Sequence, residues 1–156
     1  MTPVLAVEQR NTITAEDVRG VVEDFIRAVN DRDLDAAVDL LAADAVHRGR
    51  ISNYRPEGVK VLLNLLIGVL PDLRLDVVDM RVEGDRAVTR VVGTGTHTGS
   101  YLGKRPSGRP IAWESVDIAR VGVRDDGSVA ILDRYWDIYS DVRVWQEIGF
   151  IPAIMC

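Results

Sequence analysis

The feature that most constrains this chain is a change of hydrophobic period at Pro71. Before it, apolar residues recur every three or four positions; after it, they alternate with polar ones. In "TAEDVRGVVEDFIRAVN" the helical period puts Val18, Val21, Val22, Phe25, Ile26 and Val29 on one face, and Thr14 with Asp17 can form a capping box. A short second helix is expected after an Asp33 cap, with Leu34, Ala37, Val38 and Leu41 inward. "AADAVHRGRISNYRPEG" has no clean period and reads as a short extended piece and a loop. A third helix is expected from about Glu57 to Leu70, stopped by Pro71.

Beyond Pro71, "LRLDVVDMRV" and "RAVTRVVGTGTH" flank the turn "EGD" as a hairpin. After the turn-rich "TGSYLGKRPSGRP", two more long strands follow, "IAWESVDIARVGV" and "SVAILDRYWDIYS", and "DVRVWQEIGF" reads as a short closing helix. Three helices followed by a meander predict an α+β fold, with the helices on one face of a curved, mainly antiparallel sheet. The space between the layers is the natural place for a pocket, and the outer face could serve a dimer contact.

A chain of 156 residues fits one domain, expected over 14–150, with an N-terminal arm (1–13) and a short C-terminal tail (151–156). The net charge of -5 and the lack of a Lys/Arg cluster argue against a nucleic-acid partner. Cys156 is the only cysteine, which excludes an internal disulfide and suits a reducing compartment. "MTPVLAVEQRNT" lacks the pattern of a signal peptide, and the most apolar run, "VKVLLNLLIGVL", is too short to span a bilayer. A cytoplasmic protein with no membrane partner is therefore expected.

Strand parity organises the candidate chemistry. Ile131, Asp133, Tyr135, Asp137 and Tyr139 share one face of the last strand; Leu132, Arg134, Trp136 and Ile138 share the other. On the preceding strand Trp113, Ser115, Asp117 and Ala119 share a face. Neither face is simply apolar, so parity leaves the inward one open. If Asp117 and Asp137 both point inward, two carboxylates converge on one cavity, which suits general acid/base work. The plainer alternative is a structural ion pair, Asp117 with Arg90 or Arg120.

His47 and His97 could each orient a carbonyl or serve as hydrogen-bonded structural residues. Two distant histidines without ligand spacing predict no metal site. "GTGTHTG" lacks the P-loop pattern, and no G-x-S-x-G elbow is present, so nucleotide binding and nucleophilic catalysis are not expected.

"GTGTHTGSYLGKRPSGRPIAWESVDIARV", followed by "DGSVAILDRYWDIYSDVRVWQEIGF", resembles the SnoaL-like polyketide cyclases of the nuclear-transport-factor-2-like superfamily. The resemblance runs from about Ala15 to Phe150 and implies a cone-shaped α+β barrel of four to six strands. It also implies cofactor-independent, aldol-type closure of a polyketide-derived intermediate in secondary metabolism, an isomerase- or lyase-type reaction. An acid on the last strand, before a terminal Q-x-G helix, is the general acid/base of such cyclases; the matching residue here is Asp137 in "YWD", ahead of "QEIG". Ser115 and Asp117 match two pocket-lining positions, often Gln and His in the family, and Asp117 is the second catalytic candidate. His47 matches a pocket Asn or His, and His97 the His of a G-T-H-T-G step. Tyr54, Arg90, Trp113 and Tyr135 complete the expected substrate-binding set.

The implied partners are a small hydrophobic polyketide-like substrate and a second copy of the chain, as a homodimer that could extend to a tetramer. No metal or organic cofactor is implied. Two alternatives share the same residues: epoxide opening by an Asp/Arg/Asp set, as in limonene epoxide hydrolase relatives, and ligand binding without catalysis.

Overall fold

The computed structural model describes residues 12–49 and 52–138. Three helices, α1 (Ala15–Asn30), α2 (Leu34–Asp39) and α3 (Pro56–Val69), pack against six strands: β1 (Leu41–Arg48), β2 (Asn53–Tyr54), β3 (Arg74–Glu83), β4 (Arg86–Thr96), β5 (Pro110–Val123) and β6 (Val129–Ile138). The sheet order is β2-β1-β6-β5-β4-β3. All pairings are antiparallel except β1 with β6, so the sheet is mixed. Among the described residues it stays open, with β2 and β3 at its edges, rather than closing into a barrel.

The capping box forms: the Asp17 N–H donates to Thr14 Oγ1 at 3.1 Å and the Thr14 N–H to Asp17 Oδ2 at 3.0 Å. The stripe from Val18 to Val29 is buried against β3, β4 and β6. At the end of α1, the Asn30 side chain donates to the Leu75 carbonyl and accepts from the Leu75 N–H, both at 2.8 Å, which pins the helix to the start of β3.

The stretch read as extended piece and loop is strand β1, which enters the sheet beside β6. Its neighbours supply the pairing, so its own period carries little signal. Helix α3 packs against α2, β1 and β2 and roofs that end of the sheet. Its C-terminus is tied to the β4–β5 connection by the Gly99 N–H, which donates to the Val69 carbonyl at 3.0 Å. No described helix is long and apolar enough to cross a membrane. The expected N-terminal arm and closing helix lie outside the described residues.

Candidate active site

The inner face of β5 carries Ile111, Trp113, Ser115, Asp117, Ala119 and Val121, all buried. Which residues of β6 join them is decided by a bulge. Val121 pairs with Ile131 but Arg120 pairs with Asp133, so Leu132 is an extra residue in β6. Unbroken alternation from the buried Ile131 would turn Asp133 and Tyr135 inward. The bulge turns Arg134 inward instead: it is buried, while Tyr135 is exposed. Beyond the bulge, Arg134 pairs with Ala119 and Trp136 with Asp117. Asp137 pairs with Val116, one step out of phase with Ser115 and Asp117, and its side chain lies outside the described residues. On the inner face of the sheet, Asp117 converges with Arg134.

Arg134 Nε donates to Asp117 Oδ1 at 2.6 Å, and Nη2 donates to Oδ2, a two-pronged pair. The side chains are 10% and 3% exposed. The Phe25 ring of α1 covers the guanidinium, its centroid 4.5 Å from Cζ. Neither expected partner holds Asp117. Arg90 faces Glu114 on the exposed side of the sheet at 3.8 Å, and Arg120 donates to Asp133 at 2.9 Å.

His47 of β1 pairs with Arg134 in the parallel register. Its ring lies 5.9 Å from that of Trp136 and 6.2 Å from that of Tyr54, and among the described residues neither nitrogen has a hydrogen-bond partner. Burial, and then the positive charge of Arg134, lower its pKa to about 3. The imidazole is therefore neutral near pH 7 and offers one N–H donor and one lone pair. Ser115 Oγ makes a long bond, 3.5 Å, to the Val91 carbonyl.

These groups floor a cavity of about 30 Å³, lined also by Trp136 and Val91. Phe25 and Ile26 of α1 and the apolar side chains of α3, from Val59 to Leu66, line it from the other side. An apolar surround strengthens any charge interaction made inside it. The arrangement can hold a carboxylate in a fixed orientation and offer donors to an oxygen beside it. Among the described residues, no three His, Cys, Asp or Glu side chains gather as a metal-ligand set.

Of the expected residues, His47, Ser115 and Asp117 meet at this cavity. Tyr54 flanks His47 from β2. Trp113 packs with Leu70 and Leu73 in a separate apolar cluster. Arg90 and Tyr135 are exposed on the outer face. His97 organises the β4–β5 connection: its Nδ1 accepts from the Ser107 N–H at 3.0 Å. Sequence reasoning missed Arg134, Trp136 and Phe25. Four consecutive apolar residues, Val129 to Leu132, where alternation calls for polar ones between, are the signal of the extra residue.

Residues 17–144 match the family model described as SnoaL-like polyketide cyclase. No curated protein matches the chain. Solved structures share its fold. AclR, a proposed hydroxylase from Streptomyces galilaeus, has a TM-score of 0.76 at 23% identity, covering 89% of this chain and 100% of its own. IdmH, a proposed polyketide cyclase from Streptomyces antibioticus, has a TM-score of 0.72 at 25% identity, with coverages of 85% and 98%. TsrD from Streptomyces laurentii has a TM-score of 0.73 at 23% identity, with coverages of 89% and 99%.

Proposed function

Because this chain belongs to the SnoaL-like polyketide cyclase family, we propose that it closes a ring in a polyketide-derived intermediate by cofactor-independent acid/base chemistry, with Asp117 as the working carboxylate. The observation that carries this reading is the buried Asp117–Arg134 pair beside an unpartnered, neutral His47 in an apolar cavity. Asp117 removes a proton from a carbon next to a carbonyl. The enolate oxygen takes hydrogen bonds from His47 and Ser115. The enolate carbon then bonds to a second carbonyl carbon of the same molecule, and the resulting alkoxide recovers the proton from Asp117. A carbon between two carbonyls is acidic enough for a carboxylate held by an arginine. Arg134 fixes the orientation of Asp117 and balances its charge when the proton leaves.

Asp137, the acid implied by the family resemblance, is not needed in this scheme. Epoxide opening by an Asp/Arg/Asp set is less favoured, because among the described residues Arg134 bridges no second acid. The reading includes a homodimer formed through the outer sheet face, where Val88 and Tyr135 are exposed. Charges of both signs are interspersed across that face, as in the ion pairs Arg120–Asp133 and Arg90–Glu114.

The test needs no knowledge of the natural substrate. Exchange of the α-proton of an aryl β-keto ester in deuterated water, followed by NMR, reports proton removal directly. The Asp117→Asn variant, shown to be folded by circular dichroism, is expected to lose about 100-fold or more of the rate. A folded variant that exchanges as fast as the parent rules Asp117 out.

A further inference from the structure

A second buried polar group lies on the same strand face, just beyond the cavity. Trp113 is 3% exposed, and among the described residues its indole Nε1–H has no hydrogen-bond partner. Buried indoles normally find an acceptor, because an unmet donor costs stability. The ring lies close over β4: a Cβ on Gly93 would fall 2.2 Å from Trp113 Cε2, so glycine there makes room for it. Trp113 and Asp117 are four residues apart on one strand face, about 13 Å at ordinary strand rise. Leu66 and Leu75 line the cavity and also pack against the cluster that holds Trp113.

We propose that Trp113 is a specificity residue of this site: its indole N–H donates to a ligand oxygen remote from the reacting carbonyl, selecting elongated, apolar ligands oxygenated at both ends. This rests on the cavity being the ligand site. Leu66 and Leu75 are single side chains on a roof helix and an edge strand. For a ligand to reach from the cavity to the indole, these two side chains move aside. The ligand then satisfies a donor at each end, His47 and Trp113, with apolar surface between.

The probes are diacetylbiphenyl, with a ketone at each end, and its analogue in which one acetyl is replaced by ethyl. Calorimetric titration of the full chain is expected to favour the diketone by about five-fold or more. In Trp113→Phe the preference should fall to the factor that two equivalent ends give by symmetry. NMR of the parent protein supplies a readout independent of any variant: the Trp113 Nε1–H resonance should move on adding the diketone and stay with the monoketone. Equal affinity for the two probes in the parent, an unchanged preference in Trp113→Phe, or an indole resonance indifferent to the diketone each overturn the proposal. The β-keto ester exchange reports the Asp117 end separately. Exchange retained without diketone preference removes the role of Trp113 alone, and loss of both removes the cavity reading as well.

Discussion

At the scale of single residues, His47 gives the cleanest prediction. Its ordinary pKa is about 6.5 and burial beside Arg134 lowers it to about 3. The unfolded chain therefore binds the extra proton first as pH falls. His47 thus makes stability rise with pH between about 3 and 6.5, and the contribution is complete above that window. His47→Gln, which has no titrating group, is expected to flatten this part of the profile in urea melts taken at a series of pH values. A profile as steep as the parent's would mean that other groups carry the dependence. A second prediction concerns the pair itself. Asp117→Asn leaves a buried guanidinium with a poorer partner and is expected to cost up to about 3–5 kcal/mol, whereas the double change Asp117→Leu with Arg134→Met should recover much of it. Denaturant titrations of the parent and these two variants check it.

Residue identity was legible in the sequence to the extent that phase was. Asp117 was singled out by strand parity and His47 and Ser115 by the family resemblance, and the structure brings the three to one cavity. Arg134 was assigned to the correct half of its strand's alternation, but which half faces inward depends on one inserted residue, Leu132. Such an insertion shifts hydrogen-bond register without altering the local alternation that follows.

At the scale of elements, α1 and the strands β3 to β6 follow directly from period and caps, because each buries one face and exposes the other. Strand β1 was legible only as a short extended piece, since its parallel partner β6 lies far away in sequence and its own pattern is short and irregular. The contact between α3 and the β4–β5 connection was equally silent, because it is made by backbone. A Cβ on Gly99 would lie 1.7 Å from the Gly68 carbonyl oxygen, and no side-chain rotation can relieve that. Gly99→Ala is therefore expected to displace the end of α3 and cost about 1–3 kcal/mol by denaturant titration. Gly20→Ala, where nothing lies within 4 Å, is the matched control and should be neutral or slightly stabilising. Equal effects of the two would show that the loop does not hold the helix.

At the scale of the whole molecule, among the described residues the helices cover one sheet face and leave the other open, with Val88 and Tyr135 exposed on it. Multi-angle light scattering should give twice the chain mass, and Val88→Asp should shift it toward the monomer with the fold kept. A monomeric parent would remove the dimer from the account. The central claim is that the β6 bulge hands the catalytic task to Asp117 rather than Asp137. Side-by-side α-proton exchange of the β-keto ester by Asp117→Asn and Asp137→Asn tests it most directly. The account predicts a fall of about 100-fold or more in the first and a rate near the parent's in the second; the reverse pattern would contradict it.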